Sequence, residues 1–153
     1  MSAPRLLRRD PDAQIGADAL LRLEKALSIP SIGVLSFKLD GEILDANPAL
    51  ERMSGFTAAE LRARHWATLT PPEFMDVTRR AAHELATRGE TEPYEKQWFR
   101  PDGSRWWGLF APTRLHSEGP HAECLEFIID ITERKRAEHA LRESEARARH
   151  AEE

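Results

Sequence analysis

A single cysteine in 153 residues, Cys124, rules out an internal disulfide, and its place in an apolar run gives it the ordinary reading of a small buried thiol. No stretch approaches the roughly 18 apolar residues that a membrane span needs, and the N-terminus has no hydrophobic signal core. The segment is therefore expected to work in the cytoplasm without touching a membrane. Lys and Arg total 22 against 26 Asp and Glu, a net charge of −4, and the basic residues are scattered. That excludes the concentrated positive face that a phosphate backbone demands, so nucleic acid is not expected as a partner. There is no Gly-rich phosphate loop, no nucleophile elbow and no paired acid and base, and His65, His116, His121, His139 and His150 show no metal-ligand spacing. No catalytic site is expected. Glycine and proline are also missing from Leu125 to Glu153, so nothing interrupts the chain where a strand pattern gives way to a helical one.

That junction is the most telling feature. Leu125, Phe127, Ile129 and Ile131 recur at period two, predicting a strand from Ala122 to Ile131 with these residues on its inward face. Asp130 or Thr132 can cap a helix beginning near Thr132, and Glu133 stands three residues after Asp130 in the spacing of a capping box. Ala, Glu and Arg then dominate to Glu153. Ala137, Leu141, Ser144, Ala148 and Ala151 follow a 4-3-4-3 spacing, the seam of a weak coiled coil.

Upstream, residues 1–12 are expected to be a disordered start, and 13–28 an amphipathic helix capped by Asp12, with an apolar stripe of Ile15, Ala19, Leu23, Ala26 and Leu27. A hairpin follows: strands 32–38 and 42–45 around Asp40-Gly41. Asn47 is the expected cap of a short helix opened by Pro48 and ended by Gly55; a second helix begins at Thr57, and a longer one runs from Glu73 to about Thr87 with Gly89 as its stop. Strands over 91–100 and 104–115, joined by Pro101-Asp102-Gly103, precede the last strand. The fold class is α+β: five antiparallel strands, short helices between the second and third, and a helix at each end.

Three stretches then carry a family likeness: Asp40-Gly41-Glu42-Ile43-Leu44-Asp45-Ala46-Asn47-Pro48-Ala49-Leu50 with Ser54-Gly55-Phe56-Thr57-Ala58-Ala59-Glu60-Leu61 following, Glu95-Lys96-Gln97-Trp98-Phe99-Arg100-Pro101-Asp102-Gly103-Ser104, and Asp130-Ile131-Thr132-Glu133-Arg134-Lys135. In this order they resemble the PAS domains with their C-terminal PAC segment, over roughly residues 20–135. The resemblance implies a PAS-like sheet cupping its helices, with a core over 29–131 and a signalling helix, a coiled-coil linker, over 132–153. It also implies a sensory or dimerisation module of a bacterial signalling protein, most often a sensor histidine kinase of a two-component system and less often a diguanylate cyclase, whose effector lies outside this chain. The alternative is a stand-alone protein binding a small molecule or cofactor.

If the sheet is oriented as in that family, Trp98, Trp106 and Phe110 line the cleft with Leu125, Phe127 and Ile129, and Gly108 leaves a gap in the aromatic wall for a ligand. Trp107 and Leu109 then face outward and, with the two terminal helices, imply a homodimer. Asp130, Ile131 and Thr132 would couple sheet to helix. The cofactor stays open between none, haem and flavin. Haem relatives take an axial His from the central helix, where His83 stands; flavin photosensors need a Cys that Arg62-Ala63-Arg64-His65-Trp66 does not contain, Cys124 being on another element.

Overall fold

The computed structural model describes residues 11–152. The expected disordered start over 1–12 falls mostly outside them, and Pro11 and Asp12 belong to the first helix, α1 (Pro11–Leu27). Strand β1 (Gly33–Lys38) turns through Asp40-Gly41 into β2 (Ile43–Ala46). Gly41 has φ +101°, and a Cβ there would sit 1.8 Å from the His65 imidazole, so both backbone and space require glycine. Helices α2 (Pro48–Ser54) and α3 (Ala58–Arg62), two 3-10 turns (Trp66–Leu69, Pro72–Phe74) and α4 (Met75–Arg88) follow. Strands β3 (Tyr94–Phe99), β4 (Arg105–Arg114) and β5 (Glu123–Asp130) complete the sheet, and α5 (Thr132–Ala151) leaves it after one residue.

The strands lie in the order β2-β1-β5-β4-β3, each pair antiparallel, so the last strand is the central one. One face of the sheet carries the core, where Leu35, Phe37, Trp98, Trp106, Phe110 and Ile128 pack with Leu50, Leu61, Leu69 and Leu85 from the helical side. On the other face, among the described residues, the first turn of α5 meets Glu95 and Trp107, while Phe127 and Ile129 stay exposed. Helix α1 stands off the core, with Ile15, Leu20 and Leu23 at least half exposed, and α5 buries no residue.

Asn47 ties the hairpin to the helices. Its Oδ1 accepts from Val34 N at 2.8 Å and from Leu50 N at 3.0 Å, capping α2, while its Nδ2 donates to Ile32 O at 2.9 Å and Leu27 O at 3.3 Å. Asn47→Ala removes the cap and strands a half-buried β1 donor, so it should cost about 2 kcal/mol by urea unfolding. Asn47→Asp keeps both accepted bonds and should lose less. Gly55 closes the same helix at φ 77°.

Candidate functional site

The inner face of the sheet and α4 enclose a small cavity with about 30 Å³ of open space. Leu35, Phe37, Leu85 and Trp98 form apolar walls, and two charged side chains, Lys96 and Glu126, share the lining. Both are almost fully buried, at 2% and 5% exposure. The pairing register puts them there: Lys96 stands opposite Gly108 on β4, and Glu126 lies between Leu35 of β1 and Pro112 of β4. Directly paired residues share a face, and Phe110 pairs with Ile128, so the inward positions of β5 are Cys124, Glu126 and Ile128.

This corrects the expectation for β5. Leu125, Phe127 and Ile129 lie on the outer face, with Phe127 36% and Ile129 44% exposed. A strand shifted by one residue turns every side chain to the other side, which is the whole of the difference. Of the seven expected pocket residues, Trp98 alone lines the cavity. Trp106, Gly108 and Phe110 are buried on the same face, but the gap expected at Gly108 is filled: a Cβ there would come within 2.6 Å of the Phe110 ring. Trp98 stands edge-on to Trp106 at 6.0 Å and tilts against Phe110 at 5.2 Å, so the aromatic wall packs against itself.

Sequence reasoning missed Lys96 and Glu126, which supply the site's polar chemistry. The Lys96 ammonium donates to Thr78 Oγ1 at 3.3 Å and faces the rings of Phe110, Tyr94 and Trp98, with centres 4.6, 5.2 and 5.7 Å away. Glu126 Oε1 and the Nε1–H groups of Trp98 and Trp106 are buried without a hydrogen-bond partner among the described residues. Burial pushes the Glu126 carboxyl above its ordinary range against the pull of Lys96, and burial lowers Lys96 against the pull of Glu126. Burial, then the Glu126 charge, raises the Cys124 thiol to about 11, so it is an inert core side chain.

Neither haem nor flavin fits this cleft. A haem or flavin ring asks for ~300 Å³ or more, and the aromatic cluster occupies that volume. His83 is exposed on α4 and absent from the cavity wall, so it is not placed to ligate iron there. Among the described residues no group of three or more His, Cys, Asp and Glu could hold a metal ion, and no helix is long and apolar enough to cross a membrane.

At the sheet's edge the strand passes into α5. Ile131, buried, is the first half-helical residue: its N–H donates to Trp107 O at 3.0 Å and its carbonyl accepts from Lys135 N at 2.9 Å. Thr132 Oγ1 accepts from Trp107 N at 3.1 Å, so a side chain extends the β4–β5 ladder by one step. Asp130 Oδ1 accepts from Thr132 N at 2.9 Å, whereas Glu133 pairs with Arg136. The expected capping box therefore does not form: Ile131, at the cap position, has no side-chain acceptor, and Asp130 takes the Thr132 N–H instead. Glu95 of β3 holds both Arg134 and Lys135, and Lys135 Nζ sits 4.8 Å above the Trp107 ring. The Lys135 hydrogen bond, with further pull from the two cations, holds the Glu95 carboxyl below its usual range. Neither Glu95 nor Trp107 was expected in this joint.

A family model of the PAS fold matches residues 31–136. The hybrid signal transduction protein dokA of Dictyostelium discoideum is 31% identical over 115 residues, 74% of this chain and 7% of the relative. The sensor histidine kinase TmoS of Ectopseudomonas mendocina is 30% identical over 111 residues, 71% of this chain and 11% of the relative. The chain thus spans about a tenth of either protein. Among solved structures, a sensory box histidine kinase/response regulator from Burkholderia thailandensis superposes with a TM-score of 0.68 at 22% identity, covering 84% of this chain and 98% of that one.

Proposed function

The chain belongs to the PAS fold family, and from that premise we propose that it is the sensory and dimerisation module of a cytoplasmic signalling protein, a sensor histidine kinase. The cavity beside Lys96 and Glu126 receives the stimulus, and β5 hands its displacement to α5, which drives an effector outside this chain. The observation carrying this reading is the joint: one residue separates strand from helix, and Thr132, Glu95 and Lys135 bind the first helical turn to β4 and β3. A flexible tether would absorb a shift of the sheet; this connection passes it on. The module works as a dimer, because α1, the outer sheet face at Phe127 and Ile129, and Leu141 on α5 all leave large apolar side chains in water.

Thr132→Val keeps the shape of the side chain but removes the acceptor for Trp107 N. Spin labels on Arg147→Cys in the dimer should then show a broadened distance distribution, while the sheet's melting temperature falls by no more than about 4 °C. An unaltered distribution would mean that α5 does not follow the sheet.

A further inference from the structure

Resting on the reading of the inner cavity as the sensing site, we infer that this cavity takes a small uncharged molecule with a hydrogen-bond donor and acceptor on a short apolar body, such as an alcohol or primary amide, seated between Glu126 and Lys96. Glu126 is buried, lines the cavity, and has an Oε1 that no group among the described residues satisfies. Its neighbours across both pairings, Leu35 and Pro112, offer it no side-chain donor. Buried acceptors rarely stay empty-handed, and a donor must come from whatever occupies the space. Lys96 supplies the complementary half: an ammonium carries three N–H groups, and one of them goes to Thr78.

Charge decides the class of occupant. The lining already holds one acid and one base, so a charged ligand would bring a third ion into a low-dielectric interior with nothing to balance it. A cationic ligand meets a second obstacle, since the aromatic rings that would cradle it already face the Lys96 ammonium. A hydroxyl or amide group can donate to Glu126 and accept from Lys96 while adding no charge. The rest of the lining is mostly apolar, with Leu35, Phe37, Leu85 and the Trp98 ring among it and hydroxyls only at Thr78 and Tyr94, and about 30 Å³ of space limits the body to a few non-hydrogen atoms.

The test is an NMR titration of the full 153-residue chain with acetamide, n-propanol and acetone, with xenon as a probe of dry apolar space. Acetamide and n-propanol should shift the Trp98, Leu35 and Leu85 signals to saturation, and acetone, which cannot donate to Glu126, should bind at least tenfold more weakly. In Lys96→Met/Glu126→Leu the affinity for acetamide should fall at least tenfold while xenon still binds. Equal affinity for acetone and acetamide, or xenon binding with no response to the polar probes, overturns the inference, and the acetone comparison needs no variant to fold. If acetamide binds but the spin-label distances on α5 stay fixed, the sensing role fails and the ligand chemistry stands. If cavity substitutions move α5 although no polar probe binds, the ligand chemistry alone fails.

Discussion

Replacing Lys96 by Met should cost about 3 to 5 kcal/mol near pH 7.5, whereas Lys96→Met combined with Glu126→Leu should return to within about 1 kcal/mol of the parent or exceed it. Both charges are buried in the lining of a cavity walled by Phe37, Tyr94 and Trp98, and each is tolerated because the other is near. Removing one leaves an uncompensated ion that must neutralise or drag water inward; removing both leaves an apolar wall beside a small void. The pH profile separates this from simple loss of packing. Burial raises the Glu126 carboxyl, so from about 4.3, its value in the unfolded chain, up to the raised native value, the native state holds a proton that the unfolded chain has released. Stability falls with rising pH across that window. Burial lowers Lys96, so between its native value and the unfolded value of about 10.4 the unfolded chain holds the extra proton, and stability climbs again. The pair therefore contributes a trough between the two displaced values. Urea midpoints compared with those of the double variant at pH 5, 7.5 and 10 should show the parent relatively weakest at the middle pH. A constant difference across the three would mean that neither group changes its proton affinity on folding.

The fold was legible where single residues have one use. Gly41 and Gly55 at positive φ mark the hairpin and the end of α2, and Asn47 before Pro48 marks the helix start, each through local backbone chemistry that needs no knowledge of the rest of the chain. The site was less legible, because the orientation of β5 is set by its neighbours. Leu125, Phe127 and Ile129 form a better apolar stripe than Cys124, Glu126 and Ile128, yet the second set faces the core. A central strand can be apolar on both sides when its outer face is left for another surface, and period alone then does not say which side is inward. Ile131 shows the limit of extrapolation: it shares parity with exposed Ile129 but is buried, because the chain leaves the sheet at Asp130. One signal could have decided the matter. Trp98 inward places Lys96 inward, two residues earlier on the same strand, and a buried Lys asks for a counter-charge. Glu126 can meet that demand from the central strand when Cys124, Glu126 and Ile128 are the inward set.

Asp introduced at Ile128 and Asp introduced at Ile129 should therefore have opposite consequences. Ile128 is fully buried against Phe110, its β4 partner, among the aromatic side chains. A carboxylate there gives up its water inside an apolar cluster, while Glu126 two residues away on the same face adds like charge, so Ile128→Asp should lose about 4 kcal/mol or more and leave much of the chain unfolded at 37 °C. Ile129 is 44% exposed on the outer face, where an Asp keeps its water. Ile129→Asp should move the urea midpoint of the monomer little, by less than about 1 kcal/mol in stability. Its effect belongs to assembly: if the outer face joins two copies, an acidic group at that position repels its symmetry mate, and light scattering should find the dimer weakened by tenfold or more while the circular dichroism spectrum stays native. Loss of the fold in Ile129→Asp together with tolerance of Ile128→Asp would reverse the register of β5, and with it the placement of Glu126 in the cavity.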